Sequence, residues 1–224
     1  MILACVQPSY LAWIPLFKRM QEGDIFVYLD DVEYSKNSFH NRNFIKTSNG
    51  KELLTVPINY KNNSHKFISS MPINNDYPWQ KKHWRSLQMS YQKSPYFADL
   101  KDLLFKEIYN CNWNTLGNLN ITFIELLKEY LGISSKTYIS SELKIESRGN
   151  QKLIDLCKNL GAKKFIVKPG TENYHPHDFF NDQGIELVFF EPKPKKYNQQ
   201  YGDFIADLSA IDYAMNCGKG TPNW

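Results

Sequence analysis

Two short runs built almost wholly of apolar side chains, Ile2-Leu3-Ala4-Cys5-Val6 and Ile25-Phe26-Val27-Tyr28-Leu29, constrain this chain most. Strands read this way when both faces are buried, as they are inside a parallel sheet; a half-solvated antiparallel strand would alternate. Between the runs, residues 11–22 carry helical spacing, imperfect at Pro15, and Gly23 supplies a stop. Strand, helix, strand is the unit of an α/β fold, because a parallel crossover needs a helix to cover a face.

The pattern changes after Tyr34. Residues 44–58, FIKTSNGKELLTVPI, place Asn49-Gly50 between β-prone flanks and predict an antiparallel hairpin. Helices are expected over residues 79–91, 97–108 and 116–131, the last closed by Gly132. Alternation then returns: a strand at 137–140, a helix at 150–160 stopped by Gly161, a strand at 164–167, a short helix at 177–182 stopped by Gly184, a strand at 185–190 and a last helix at 209–216. The sequence therefore predicts one domain over residues 1–224, an α/β fold with a mostly parallel, Rossmann-like three-layer sheet of about five strands. The hairpin and helices of residues 44–131 are an insertion in it. Residues 59–63 and 191–200 are the stretches richest in loop formers, and neither reads as a linker.

With 224 residues, 42% of them hydrophobic, the chain can bury one sizeable core. Its 27 Lys and Arg against 23 Asp and Glu give a formal charge of +4, which admits anionic ligands but falls short of a DNA-binding surface. The first apolar run soon meets Pro8, Trp13, Lys18 and Arg19, far short of the roughly 20 apolar residues that a bilayer requires. No membrane insertion and a cytoplasmic location are expected. Cys5, Cys111, Cys157 and Cys217 form no CxxC pair and read as free thiols.

Ligands of open parallel sheets bind beyond the carboxyl ends of the strands. Past the expected strand ends lie Gln7-Pro8-Ser9-Tyr10, Asp30-Asp31, Ser140-Ser141-Glu142, Lys168-Pro169-Gly170-Thr171-Glu172 and Glu191. Gln7, Ser9 and the serine pair also suit plain capping. Adjacent carboxylates at Asp30 and Asp31, directly after a buried strand, call for a cation, an amine or an Arg. Lys36, His40, Arg42 and Lys46 follow in an amide-rich stretch where Arg42 and Lys46 could hold a diphosphate, unless Arg42 simply pairs with Asp30 or Asp31. His83 borders an apolar helix stripe, as a packing residue or a general base. His175 and His177 with Glu172 are too loose a pattern to specify a metal, so none is expected. No GxGxxG, GxxxxGK[ST] or GxSxG motif occurs, the terminal GKGTPNW follows no strand, and no cofactor is called for. Cys217 reads as a structural thiol, or as a nucleophile if a His were brought to it.

Taken together, several segments resemble the WbqC-like protein family of bacterial surface-polysaccharide gene clusters. Gln7–Phe17, QPSYLAWIPLF, is similar to the family's opening QPxYxPWxGxF block, with Ala12 and Pro15 in place of its Pro and Gly. Residues 29–36 and 41–46 resemble its second block and Thr55-Val56-Pro57 its third. His83, Tyr91, Pro95-Tyr96-Phe97, Leu131-Gly132-Ile133, Tyr197-Asn198-Gln199, Phe204, Leu208-Ser209, Asp212 and Asn216-Cys217-Gly218 continue the likeness over nearly the whole chain. Lys168-Pro169-Gly170 stands where the family often has Ser-Gly.

What the resemblance implies is a place in O-antigen and related lipopolysaccharide assembly, with glycine transfer to a sugar amine suggested for some members. The leading expectation is an aminoacyl or acyl transferase that forms an amide on a nucleotide-linked amino sugar. Asp30 or Asp31 would hold the amine and His83 would act as base. Arg42 and Lys46 would take phosphate, Gln7, Tyr10 and Lys168 would line the pocket, and the backbone at Gly170-Thr171 would donate to the oxyanion. An activated acyl or glycyl donor is required: a carrier-protein thioester, an aminoacyl-tRNA or an adenylate. The alternative is a non-catalytic sugar- or partner-binding protein that uses Trp13, Trp79, Trp84 and Trp113. A relative of adenylate-forming synthetases is a third reading, weakened by the missing HxGH-type pair.

Overall fold

The computed structural model describes residues 1–61, 63, 66–191, 193 and 195–220. The last four residues of the GKGTPNW stretch, and three of the two loop-rich stretches (Asn62, Pro192 and Pro194), lie outside the described residues. The chain divides into two compact units. One comprises Met1–Gln7, Pro15–Asp30 and Ser134–Lys193, and the other Pro8–Ile14, Asp31–Ile133 and Pro194–Trp224.

The first unit is an α/β sheet. Strands β1 (Ile2–Val6), β2 (Ile25–Tyr28), β5 (Lys136–Ile139), β6 (Lys164–Val167) and β7 (Glu186–Phe189) pair in the order β5-β2-β1-β6-β7, every pair parallel. Helices α1 (Ile14–Glu22), α5 (Gly149–Asn159) and α6 (His177–Asn181) lie on the crossovers. Leu3, Ile25, Val27, Phe165, Val167 and Leu187 form one core with Ile154 and Cys157 of α5 and Phe180 of α6. Their strand neighbours Ala4, Phe26, Tyr28 and Ile166 point the other way and are buried too. Burial on both faces is why β1 and β2 are continuous apolar runs. The winding starts at β1, moves out to β2 and β5, then returns to β6 on the opposite side of β1. The topological switch point therefore lies between β1 and β6.

The second unit holds the antiparallel pair β3 (Arg42–Thr47) and β4 (Gly50–Thr55), with helices α2 (Trp79–Tyr91), α3 (Phe97–Leu104), α4 (Leu116–Tyr130) and α7 (Ala210–Cys217). Thr47 pairs with Gly50 across the hairpin, and Gly50, at φ 99°, takes the left-handed position that closes the turn. Strand β3 packs against α2 and α7, a contact that sets the position of Lys46. A Cβ at Gly117 of α4 would lie 2.6 Å from the Ser69 Cα, so only glycine permits that approach to the turn Ile68–Ser70.

Several boundaries differ from the sequence reading. Helix α1 begins at Ile14 instead of residue 11, because Leu11 takes φ 48° and Trp13 is drawn into a β-bridge with Ser209. The helix read over residues 97–108 ends at Leu104 and continues as a π turn over Phe105–Tyr109, a widening that serves Tyr109 below. The hairpin starts at Arg42, earlier than read, since its register reaches Thr55. The last helix begins at Ala210, with the Ser209 hydroxyl accepting from the Ile211 N–H as its cap. All four cysteines are free. Among the described residues no helix is long and apolar enough to cross a membrane.

Candidate functional site

The site residues proposed from sequence fall into the two units. Gln7, Asp30, Lys168, Gly170 and Thr171 belong to the sheet unit, and Tyr10, Asp31, Arg42, Lys46 and His83 to the other.

In the sheet unit, Gln7 follows β1 and Lys168 follows β6, so the two flank the switch point. The turn after β6 is a small anion-holding loop. The Gly170 N–H donates to the Glu172 carboxylate at 3.1 Å, and the Thr171 hydroxyl donates to the Lys168 carbonyl at 2.6 Å. Backbone N–H donors, its own first and then that of Gly170, hold the exposed Glu172 below the usual carboxylate range. The buried Asp30 carboxylate accepts from the Ser141 N–H at 2.9 Å and the Ser141 hydroxyl at 2.7 Å, tying the end of β2 to the turn after β5. Nearby, His175 meets Asn150 at 2.8 Å and packs edge-on against Phe165 and Phe180.

The second unit contains two buried polar networks. In the first, the Tyr10 hydroxyl lies 2.9 Å from His83 Nδ1 and 3.1 Å from the Tyr109 hydroxyl, with Trp79 and Phe123 packed around the ring. Burial pushes His83 down to about 4, against a hydrogen bond to the Thr55 backbone that acts the other way. The same burial raises both phenols. His83 is thus a neutral bridge between α2, the chain start and β4. Asn120, 0% exposed, donates to the Pro8 carbonyl at 3.2 Å and the His40 carbonyl at 2.8 Å, and the Tyr10 N–H donates to the same His40 oxygen. Arg42 donates to the Asn37 carbonyl, within its own loop.

The second network is centred on Lys46, 1% exposed. Its ammonium donates to Gln199 Oε1 at 3.1 Å and to the Asp203 carbonyl at 2.5 Å, and its backbone N–H donates to the Tyr91 hydroxyl at 3.1 Å. Asp212 of α7, 0% exposed, faces this centre. Its Oδ1 accepts from Tyr197 at 3.5 Å and from Asn216 at 3.3 Å, while Oδ2 has no hydrogen bond. Burial raises Asp212 to about 7, with Lys46 and the Tyr197, Asn216 and Tyr91 groups acting against it. Burial, and then the Asp212 charge, push Cys217 up to about 11, the opposite of what a thiolate nucleophile needs.

Sequence reasoning singled out Lys46 but not Asp212, Asn120 or Tyr109 as site residues. For Asp212 a signal was present: one carboxylate in the helix AIDYAMNC, otherwise almost free of polar groups, which can only be buried if its neighbours compensate it.

Comparison with known proteins matches residues 7–223 to the WbqC-like protein family. The uncharacterized protein Rv1507c of Mycobacterium tuberculosis (strain ATCC 25618 / H37Rv) is 29% identical over 223 residues, covering 99% of this chain and 96% of that protein. No solved structure matches. With nearly its whole length matched, the chain belongs to the WbqC-like protein family.

Proposed function

We propose that this protein is an amino-sugar N-acyl or aminoacyl transferase, with a glycyl group the first to test, forming an amide on a nucleotide-linked amino sugar. It would act in the cytoplasm, in O-antigen or related surface-glycan assembly. The observation that carries the reading is the turn after β6. At the switch point of a parallel sheet, where nucleotide phosphates characteristically sit, backbone N–H groups already hold a carboxylate beside Lys168. A diphosphate would displace the exposed Glu172 and take Lys168 as its cation, with Gln7 across the switch point.

Amide formation also needs the sugar ammonium to lose a proton before it attacks the acyl carbon and expels the leaving group. His83, with Nδ1 facing Tyr10 and pushed down to about 4 by burial, would take that proton as a weak base. The donor would be a carrier-protein thioester, an aminoacyl-tRNA or an adenylate. The second reading, a binding protein without turnover, draws on the exposed Trp13 and the Phe39–Phe44 pair as sugar-stacking surface.

The test is to incubate the protein with UDP- and TDP-amino sugars and labelled glycine, with ATP, tRNA or carrier protein in turn, and to measure mass gain on the sugar. The transferase reading predicts a glycyl amide with one donor, and about tenfold weaker nucleotide-sugar binding in Lys168→Ala, for the loss of one charge-assisted contact. Binding without product under every donor favours the second reading. Affinity unchanged in Lys168→Ala removes the phosphate assignment.

A further inference from the structure

Tyr174 stands in the loop after β6 and is 75% exposed, more than any other large apolar or aromatic residue among those described. Its backbone, by contrast, is fixed. The Tyr174 and His175 N–H groups both donate to the Thr171 carbonyl at 2.9 Å, and the Tyr174 carbonyl accepts from Asn150 Nδ2 of α5 at 2.7 Å. Asn150 Oδ1 meets His175 Nδ1 at 2.8 Å, and the His175 ring packs edge-on against Phe165 and Phe180 of the core. The Tyr174 side chain itself makes no hydrogen bond or ring contact among the described residues. These tethers account for where the backbone lies; nothing in the packing accounts for the ring. The same loop carries the turn whose Gly170 N–H and Lys168 are assigned to phosphate above. The hydrogen bond from Tyr174 back to Thr171 closes a turn, which brings their Cα atoms to within roughly 7 Å of each other. A ribose spans such a distance between a diphosphate and its base.

We propose that Tyr174 is the base platform of the nucleotide site: with the diphosphate on the Gly170 N–H and Lys168, the nucleobase stacks on the exposed Tyr174 ring. This role rests on the phosphate assignment made above and adds the nucleoside half of the ligand. A ring held on a fixed backbone loses little freedom when a base settles on it, so most of the stacking energy is kept. The polar groups around the ring are engaged in holding the loop: Asn150 on Tyr174 and His175, the Thr171 carbonyl on two N–H groups, the Thr171 hydroxyl on the Lys168 carbonyl. Recognition therefore falls to the face of the base, which every base possesses, and not to its hydrogen-bonding edge. The ligand class is nucleoside diphosphates taken with little preference among bases.

The experiment is calorimetric titration of the full chain with UDP, GDP, inorganic pyrophosphate and a UDP-amino sugar. In the wild-type chain, UDP and GDP should bind with affinities within a few-fold of each other, and both more tightly than pyrophosphate. Tyr174→Ala should weaken UDP and GDP by about tenfold and leave pyrophosphate unchanged, while Tyr174→Phe, which keeps the ring face, should bind UDP as the wild type does. Lys168→Ala should weaken all of them. Because the side chain is exposed, the urea midpoint of Tyr174→Ala should match that of the wild type. UDP affinity unchanged in Tyr174→Ala but lowered in Lys168→Ala overturns the platform and leaves the phosphate assignment standing. An equal loss for pyrophosphate in Tyr174→Ala overturns it too, since the ring would then only steady the turn. A loss confined to the UDP-amino sugar, with UDP itself unaffected, sets the ring against the sugar and likewise overturns it. No binding of UDP, GDP or pyrophosphate by the wild-type chain removes the phosphate assignment and the platform together.

Discussion

The two units place their polar groups in opposite ways. In the sheet unit the interior is apolar on both faces, and the polar residues stand at strand ends, where short local bonds satisfy them: Asp30 on Ser141, Thr171 on the Lys168 carbonyl, Glu172 on Gly170. In the other unit Lys46, Asp212, His83, Asn120 and the Tyr10 hydroxyl lie inside, joining segments that are far apart in sequence. Stability in the first unit therefore rests chiefly on packing. In the second it depends on which buried groups carry charge.

Substitutions can separate the two. The largest effect is expected at Phe180, fully buried and stacked on Phe165 at 6.0 Å. Phe180→Ala should cost about 3–5 kcal/mol, read from urea midpoints, and by the same amount at pH 7 and pH 8, where His175, packed edge-on against Phe180 and lowered by burial, is neutral. A cost that changes between those two pH values would mean that a group other than His175 titrates against this core.

His83 gives the next effect, with a defined sign. Its folded value, about 4, lies below the unfolded value near 6.5, so between these the unfolded chain binds the proton. The stability that depends on neutral His83 is complete above pH 6.5 and is lost as pH falls toward 4, by about 3 kcal/mol from the size of the shift. Asp212 runs the other way. Its folded value is raised, so the folded chain binds the proton, and stability declines as pH rises from about 4 to about 7. The two slopes oppose each other over most of that range and should leave the wild-type profile nearly flat. His83→Gln removes one of them and should reveal a stability that falls with rising pH. A profile as flat as the wild-type one would contradict the burial of either group.

The same contrast explains what was legible in the sequence. The sheet could be read because burial on both faces writes continuous apolar runs, and Gly23, Gly161 and Gly184 mark its helix ends. The parallel strands follow from those signals, and the hairpin from Asn49-Gly50 between its β-prone flanks. The start of α1 could not be read, because Leu11 and Trp13 are held by tertiary contacts that propensity does not encode. Nor could the π turn at Phe105–Tyr109, whose apolar positions suit an ordinary helix equally well. Within the polar networks, Lys46 was legible from its place beside the carboxylates and amides of residues 30–46. Its partners were not, since Gln199 and Asp212 lie more than 150 positions further on. A lone Asp on a short apolar helix shows only that something compensates it, not what does.

What sets the second unit apart is a carboxyl, Asp212, that is buried in the same centre as the Lys46 ammonium and titrates near neutrality. Urea midpoints of the wild-type chain and Asp212→Asn, measured side by side from pH 4.5 to pH 8, test it most directly. The midpoints should be close at the acid end, and Asp212→Asn should gain a growing advantage as pH rises, on the order of a few kcal/mol by pH 8. A difference between the two proteins that stays constant across the whole range would contradict it.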